Sequence, residues 1–302
     1  MKLRLGINNC FAVKRWPRPA DWAPIVRERL GLRLVQHSLD LVDLGADDPR
    51  TLRRELSDRG LELHSAFTGL AAYSSNLLLH PAADDRVAAE AWYGSAIDWT
   101  AGAGGLAVGG HVGAFSVADW TDPVARRERW ADLGRSLDRL ARQARTAGLD
   151  HLLVENLAAA REPSTMAMIR ELVTEGDEQR APIRLCLDVG HMCVAGTTGP
   201  ARDPYAWLSA MGPLATVVQL QQSDADGDHH WPFTSARNAD GRIDADRTID
   251  ALGAGGVDAC ALLLEVIPPF EQPDEEVLDD LVASVDYWRG ALDRRGVLAS
   301  EG

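Results

Sequence analysis

Short apolar segments alternate with longer amphipathic segments along the chain. The apolar segments predict eight strands, at residues 3–7, 32–37, 61–66, 105–111, 151–155, 183–188, 217–221 and 260–265. The amphipathic spacing predicts helices at residues 49–59, 84–100, 123–147, 166–175, 245–252 and 273–292. Strands separated by helices favour parallel pairing, because parallel neighbours need a crossover. The pattern predicts one domain over residues 1–302, a single (β/α)8 TIM barrel, with a doubly wound sheet as the rival.

The chain is acidic, which narrows the range of partners. It has 31 Lys and Arg residues against 45 Asp and Glu residues, a formal net charge of −14. Nucleic-acid binding relies on basic groups that neutralise phosphates, so we expect no nucleic-acid partner. No apolar run is long enough to span a membrane, and the first residues indicate a strand rather than a signal peptide. We therefore expect a cytoplasmic protein that has no membrane partner.

Polar residue types known for catalysis and metal binding stand at the ends of the later predicted strands. They are His64, His111, Glu155, Asp188, Gln221 and Glu265. Barrel enzymes carry their catalytic groups at the C-terminal ends of the strands. Carboxylates are costly to bury there unless something compensates their charge. A divalent cation held by the oxygens of Glu155, Asp188, Gln221 and Glu265 would do so, and oxygen ligands favour Mg²⁺ or Mn²⁺.

Two further segments carry candidate binding groups. Asp188 and His191 flank a glycine directly after an apolar run, so a turn there would aim both side chains at one point. The loop at residues 227–233 combines an acid, two imidazoles and two aromatic rings, a mixture typical of ligand-binding loops. Gln219 and Gln221 fall on one face of their strand, where they either serve the site or form an amide network between strands.

Together these residues resemble the xylose isomerase-like, or AP endonuclease family 2, barrels. The resemblance covers nearly the whole chain and rests on the runs at residues 153–156, 187–191, 219–221 and 264–265. The run at residues 228–234 is most similar to the branch that contains erythrulose-phosphate epimerases and ketose 3-epimerases. The resemblance implies a metal-dependent isomerase or epimerase. Its substrate would be a short ketose or sugar phosphate, and its proton transfer would pass through a metal-stabilised cis-enediolate.

The resemblance also implies roles for individual residues. Glu155 and Glu265 correspond to the catalytic acid and base, and His191 would lie beside the substrate oxygens. The metal ligands would be Glu155, Asp188, Gln221 and Glu265, with Gln221 where the pattern usually has His. Mn²⁺ or Mg²⁺ is the expected ion, with Co²⁺ or Zn²⁺ as alternatives. The expected substrate-binding residues are His64, His111, His191, Asp228, His230 and Trp231.

Other functions remain open at this stage. A lyase acting on an oxidised sugar or glycoside would use the same metal and base. An abasic-site endonuclease would fit His64, His111, Asp228 and His230, but the acidic charge and Gln221 disfavour it. A barrel that only binds ligands is a third alternative. A phosphate group would need Arg161, His229 or Arg242, and a homodimer or homotetramer is expected because relatives often form one.

Overall fold

Eight strands, numbered in chain order, form the centre of the protein in this computed structural model, which describes residues 1–41, 44 and 48–299. The strands are β1 (Lys2–Asn8), β2 (Leu34–Ser38), β3 (Glu62–Phe67), β4 (Ala107–Gly110), β5 (His151–Glu155), β6 (Ile183–Asp188), β7 (Ala215–Leu220) and β8 (Ala259–Leu264). They close into a barrel in that order, so the predicted (β/α)8 barrel is confirmed. Closure also removes the doubly wound alternative, which is an open sheet.

Helices fill the segments between the strands. They are α1 (Pro19–Pro24), α2 (Pro49–Asp58), α3 (Ala83–Ala103), α4 (Val117–Thr121), α5 (Pro123–Ala147), α6 (Met166–Leu172), α7 (Pro204–Met211), α8 (Ser235–Asp240), α9 (Ala245–Ala254) and α10 (Asp274–Arg295). Helix α7 lies outside the six predicted helices. Asp203 caps it by accepting a hydrogen bond from Tyr205 N, and Pro204 stands at its first position. None of the described helices has both the length and the apolar character needed to cross a membrane.

The chain divides into two compact units. The first unit comprises Met1–Gln36, Glu55–Glu62 and Cys186–Gly302, and the second comprises His37–Arg54 and Leu63–Leu185. The single domain over residues 1–302 therefore stays a prediction.

In the first unit, β8 lies between β1 and β7. Leu262 pairs with Leu5 of β1, and Leu264 pairs with Leu220 of β7. Nearly every residue of β8 is buried, as expected for a strand covered on both faces. Trp207 and Trp288 are almost wholly buried in the same unit. This packing fixes the strand ends from which the candidate site is built.

In the second unit, β4 lies between β3 and β5. Phe67 pairs with Gly109, and Gly110 pairs with Val154. Gly109 is required there, because its φ is 151° and a Cβ would lie 1.9 Å from the Leu153 carbonyl oxygen. The close approach of these strands fixes the end of β5, where Glu155 is the last residue.

Candidate active site

The ends of β6, β7 and β8 bring three buried polar side chains together in the first unit. Asp188 is the last residue of β6, and Gln221 and Glu265 directly follow β7 and β8. Each side chain belongs to a residue that is at most 1% exposed. The Glu265 N–H donates to the Leu220 carbonyl oxygen over 2.8 Å, so Gln221 and Glu265 leave neighbouring strands in step.

A tight turn after β6 positions Asp188. The Gly190 N–H donates to Asp188 Oδ1 over 2.6 Å. A Cβ on Gly190 would lie only 2.3 Å from Gln221 Cδ. Glycine is therefore needed at this turn so that the Gln221 amide can pack against it.

The Gln221 amide is held by several partners. Its nitrogen donates to Asp188 Oδ1 over 3.0 Å and to Asp228 Oδ1 over 2.6 Å. Its oxygen accepts from Ser223 Oγ and from the His230 N–H, each over 2.7 Å. In this orientation the nitrogen, rather than the predicted ligand oxygen, faces Asp188. A half-turn of the amide would exchange the two atoms, and a cation beside Asp188 would favour it because cations attract oxygen and repel N–H groups.

Asp228 lies between two imidazoles in the loop after β7. The Nε2 atoms of His191 and His230 are each 3.2 Å from an Asp228 carboxylate oxygen. Burial raises the pKa of Asp228, but the two imidazoles lower it by more, so its pKa lies well below the usual range. Asp228 is therefore an ionised acceptor that orients both rings.

His230 has an unusual backbone conformation. Its φ is 50°, a value that side-chain-bearing residues rarely adopt. Gln222 and Trp231 form an antiparallel bridge next to it, which folds the loop back onto the end of β7. Strained backbone of this kind often marks functional positions. Here it turns the imidazole toward Asp188 and Glu265.

Two overlapping groups in the first unit have the geometry of a metal site. Asp188, His230 and Glu265 each offer one ligand atom, and these atoms lie within 4.8 Å of one another. His191, Asp228 and His230 form a second group under the same limit. Two carboxylates buried beside an imidazole carry a large desolvation cost that a divalent cation would offset. Mixed oxygen and imidazole ligands fit Mn²⁺, Co²⁺ or Zn²⁺, and the oxygens also fit Mg²⁺.

A buried amide network supports Glu265 from the first strands. Asn8 Nδ2 donates to Glu265 Oε1 over 3.1 Å and to Gln36 Oε1 over 2.9 Å. Gln219 Nε2 donates to the same Gln36 oxygen over 3.1 Å. The amide network considered for Gln219 is therefore present. Asn8 and Gln36 were not predicted from the sequence, although both are polar residues at or near the ends of apolar strands.

In the second unit, Glu155 is held by a phenol. Tyr73 Oη donates to Glu155 Oε1 over 2.9 Å and lies 3.1 Å from Oε2. Tyr73 belongs to the short helix Leu70–Ser74 that follows β3, and Glu155 is fully buried. Tyr73 was not predicted from the sequence, because nothing in its local pattern distinguishes it from a packing aromatic.

The two other predicted histidines of this unit differ in position. His111 directly follows β4, packs edge-on against Tyr73, and has its Nε2 atom 3.4 Å from Glu162 Oε1. It therefore lies in the same cluster as Glu155. His64 lies within β3, and its ring centroid is 6.4 Å from that of His151, the first residue of β5. The structure does not bring His64 to the end of β5.

The ring of Trp231 is already covered within its loop. His229 stacks on it with a centroid distance of 3.9 Å, and the Arg237 guanidinium lies 4.4 Å from its centre. A substrate would therefore meet the edge of this stack.

Residues 27–285 match the family described as xylose isomerase-like TIM barrel. A D-erythrulose 1-phosphate 3-epimerase from Brucella abortus (strain 2308) is 29% identical over 311 aligned residues, covering 97% of each chain. A solved structure of a candidate xylose isomerase from Rhodospirillum rubrum is 32% identical, with a TM-score of 0.86 and coverage of 99% of this chain and 100% of that one.

A more distant solved structure, an L-ribulose 3-epimerase, is 23% identical with a TM-score of 0.70. It covers 98% of this chain, and 97% of its own chain is covered. This similarity is one of fold. The family match and the relative above 30% identity both extend over most of the sequence, and they agree with the closed barrel and the polar strand ends. The chain belongs to the xylose isomerase-like TIM barrel family.

Proposed function

We propose that this chain is a divalent-metal-dependent epimerase of a short ketose or ketose phosphate. The observation that carries the proposal is the convergence of Asp188, His230 and Glu265 within 4.8 Å at the ends of the strands. A relative named as an erythrulose-phosphate epimerase covers nearly the whole chain, which supports a carbohydrate isomerase or epimerase.

The residues present fit a divalent cation. Asp188 and Glu265 would hold it, and the resemblance to the family adds Glu155 as a predicted ligand. Gln221 with its amide turned, or His230, would supply a further ligand. Mn²⁺ and Mg²⁺ fit the oxygen ligands, and ligation by His230 would shift the preference toward Mn²⁺, Co²⁺ or Zn²⁺. When bound, the cation polarises the ketose carbonyl and eases loss of the proton on the adjacent carbon.

The two glutamates would perform the proton transfer. One takes the proton from the carbon beside the carbonyl, giving a cis-enediolate of the substrate, and the other returns a proton to the opposite face. Asn8 and Tyr73 each fix one of these carboxylates by donating a hydrogen bond to it.

His191 would orient the substrate oxygens. With Asp228 beside its Nε2 atom, the ring is held in one orientation. His230 shares the same carboxylate. We propose that His191 and His230 contact the oxygens of the sugar, and the same role for His111 stays a prediction from the sequence.

The experiment is solvent-deuterium exchange into a ketose. The purified protein, loaded in turn with Mn²⁺, Mg²⁺, Co²⁺ and Zn²⁺, is incubated with tetrulose, pentulose and hexulose substrates and their phosphates in D₂O. Glu155→Gln and Glu265→Gln should each lower exchange roughly 1000-fold, because a general acid or base contributes in that range. Removal of the metal by a chelator should abolish exchange, and the metal should restore it.

Glu276→Gln provides a matched control on an exposed face of α10. It removes the same charge at a solvent-exposed position and should leave exchange unchanged. Full activity of both Glu155→Gln and Glu265→Gln would show that the acid and base are other residues. Exchange that survives complete metal removal would contradict metal dependence.

A further inference from the structure

A basic cavity of about 740 Å³ lies between the loops that follow β6 and β7 in the first unit. Arg202, Arg242 and Arg247 line it, together with Asp203 and Asp244. Arginine thus exceeds acid on its wall, although the whole chain carries a net charge of −14. The late strand-to-helix loops of a barrel often form a phosphate site beside the catalytic mouth.

Arg242 has hydrogen-bond donors that are not used by the described residues around this cavity. Its Nη1 atom donates to the Arg202 carbonyl oxygen over 2.8 Å. Its Nε and Nη2 atoms are buried and have no hydrogen-bond partner among the residues that the structure describes. Buried, unpaired donors on a cation are costly, and burial accordingly lowers the pKa of Arg242. Nε and Nη2 form one edge of the guanidinium, which matches two oxygens of a phosphate.

The other candidate cations each have a partner of their own. His229 Nε2 lies 3.0 Å from Asp224 Oδ1, and its ring stacks on Trp231. Arg161 donates to the Phe115 carbonyl oxygen. Within the cavity, the Arg247 guanidinium lies 3.8 Å from the centre of the Tyr205 ring. Arg242 therefore has the strongest case for binding an anion.

The backbone around Arg242 is tied to the end of β7. The Arg242 N–H donates to the Ser223 carbonyl oxygen over 2.9 Å, and Tyr205 Oη donates to the Arg242 carbonyl oxygen over 2.6 Å. The Gln222 side chain bonds both the N–H and the carbonyl of Ile243, each over 2.9 Å. Gln222 directly follows Gln221, so the segment that carries Arg242 is fixed relative to the polar cluster.

We propose that Arg242 binds the phosphate of a phosphorylated ketose whose sugar carbons lie at Asp188, His230 and Glu265. This inference rests on the proposed epimerase function and narrows its substrate class to ketose phosphates. The phosphate would accept the two hydrogen bonds that Nε and Nη2 have available.

The test compares D-erythrulose 1-phosphate with free erythrulose in the metal-loaded enzyme. Arg242→Met should raise KM for the phosphate ester about 100-fold, because two charge-assisted hydrogen bonds are lost. Exchange of the free sugar should stay within about twofold, since that substrate never makes the contact. Retained exchange of the free sugar and an unchanged Tm would show that the variant folds.

Arg247→Met is the matched control, because it removes the same charge from the same cavity wall. Its effect on KM for the phosphate ester should stay below about threefold. Arg242→Lys keeps the charge but lacks the two parallel N–H donors of the guanidinium, and it should give an intermediate KM. Inorganic phosphate should bind the wild type in calorimetry and inhibit it competitively, and Arg242→Met should lose both effects.

Two failures are distinguishable. If the wild type exchanges both sugars but Arg242→Met leaves the phosphate preference intact, the phosphate site is overturned and the epimerase function stands. If the wild type exchanges none of the tetrulose, pentulose and hexulose substrates or their phosphates, the proposed function fails. Calorimetry then decides separately whether Arg242 binds phosphate, and an equal affinity in Arg242→Met would overturn the site.

Discussion

The two units of the protein surround their buried histidines in different ways. In the first unit, His191 and His230 each have a carboxylate oxygen of Asp228 3.2 Å from their Nε2 atoms. In the second unit, His37 packs flat against Trp99, with a centroid distance of 5.2 Å, and burial lowers its pKa to about 4. His191 and His37 are each at most 3% exposed. Burial alone therefore does not distinguish a candidate catalytic histidine from a core histidine.

The two environments differ in whether a bound cation would stabilise them. His37 is neutral at pH 7 and packed on an aromatic ring, so nothing further is needed to stabilise it. Around His230, two buried carboxylates approach within 4.8 Å, an arrangement that is costly unless a cation joins it. The first environment stabilises the fold, whereas the second is suited to bind a metal.

Among the variants that test this contrast, Asp188→Asn should have the largest effect, a loss of metal affinity. Asp188 belongs to the acidic group of the first unit, and its carboxylate is fully buried. Loss of groups that only support metal ligands already weakens metal binding 10- to 100-fold, so loss of this ligand should weaken it at least about 100-fold. Isothermal titration with Mn²⁺ and elemental analysis of the purified variant would measure the change.

Asp226→Asn is the control for that variant, because the Asp226 side chain is 93% exposed in the neighbouring loop. Its metal content should equal that of the wild type. Wild-type metal affinity in Asp188→Asn would remove the basis for a cation at this cluster.

A pair of histidine variants compares deuterium exchange after loss of a histidine in each unit. His191→Asn should lower deuterium exchange about 100-fold, because it removes an imidazole that orients the substrate. His64→Gln should stay within about threefold, because His64 lies beside His151 at the start of β5 and does not touch the reacting atoms. The two rates, measured at the same metal loading, are the comparison. Equal losses of exchange in the two variants would mean that position within the barrel does not distinguish a substrate-orienting histidine from a structural one.

Much of the barrel could be predicted from the sequence because strands that are buried on both faces consist of continuous apolar runs. Strand β8 reads as an unbroken apolar run, and its end at Leu264 places Glu265 correctly. The equal spacing of Glu155, Asp188 and Gln221 along the chain likewise follows from one strand and one helix per repeat. The acidic residues at the strand ends could therefore be found without coordinates.

The contacts that orient these residues could not be found in the same way. Tyr73 reaches Glu155 from a short helix more than eighty positions earlier in the chain, and Asn8 reaches Glu265 from the first strand. His64 lies inside β3, and a histidine inside a strand gives the same local pattern as one at its end. Which atom of Gln221 faces Asp188 depends on Ser223 and His230, a matter of hydrogen bonding that no periodicity encodes.

The last expected effect concerns stability and tests the core role of His37. Its pKa is about 4 when folded against 6.5 for the exposed side chain, so the unfolded chain binds a proton in this range and the folded chain does not. The stabilisation is complete above about pH 6.5 and is lost as the pH falls toward 4. A pKa difference of this size corresponds to about 3 kcal/mol in the free energy of unfolding.

His37→Phe keeps an aromatic ring against Trp99 and removes the titration. Denaturant unfolding of this variant should therefore show a decline in the free energy of unfolding between pH 6.5 and 4 that is smaller by that amount. His151, whose pKa burial also lowers to about 4, stays in both proteins and contributes the same decline to each. If the two pH profiles run parallel, His37 is not a neutral core residue, and the contrast between the histidines of the two units does not hold.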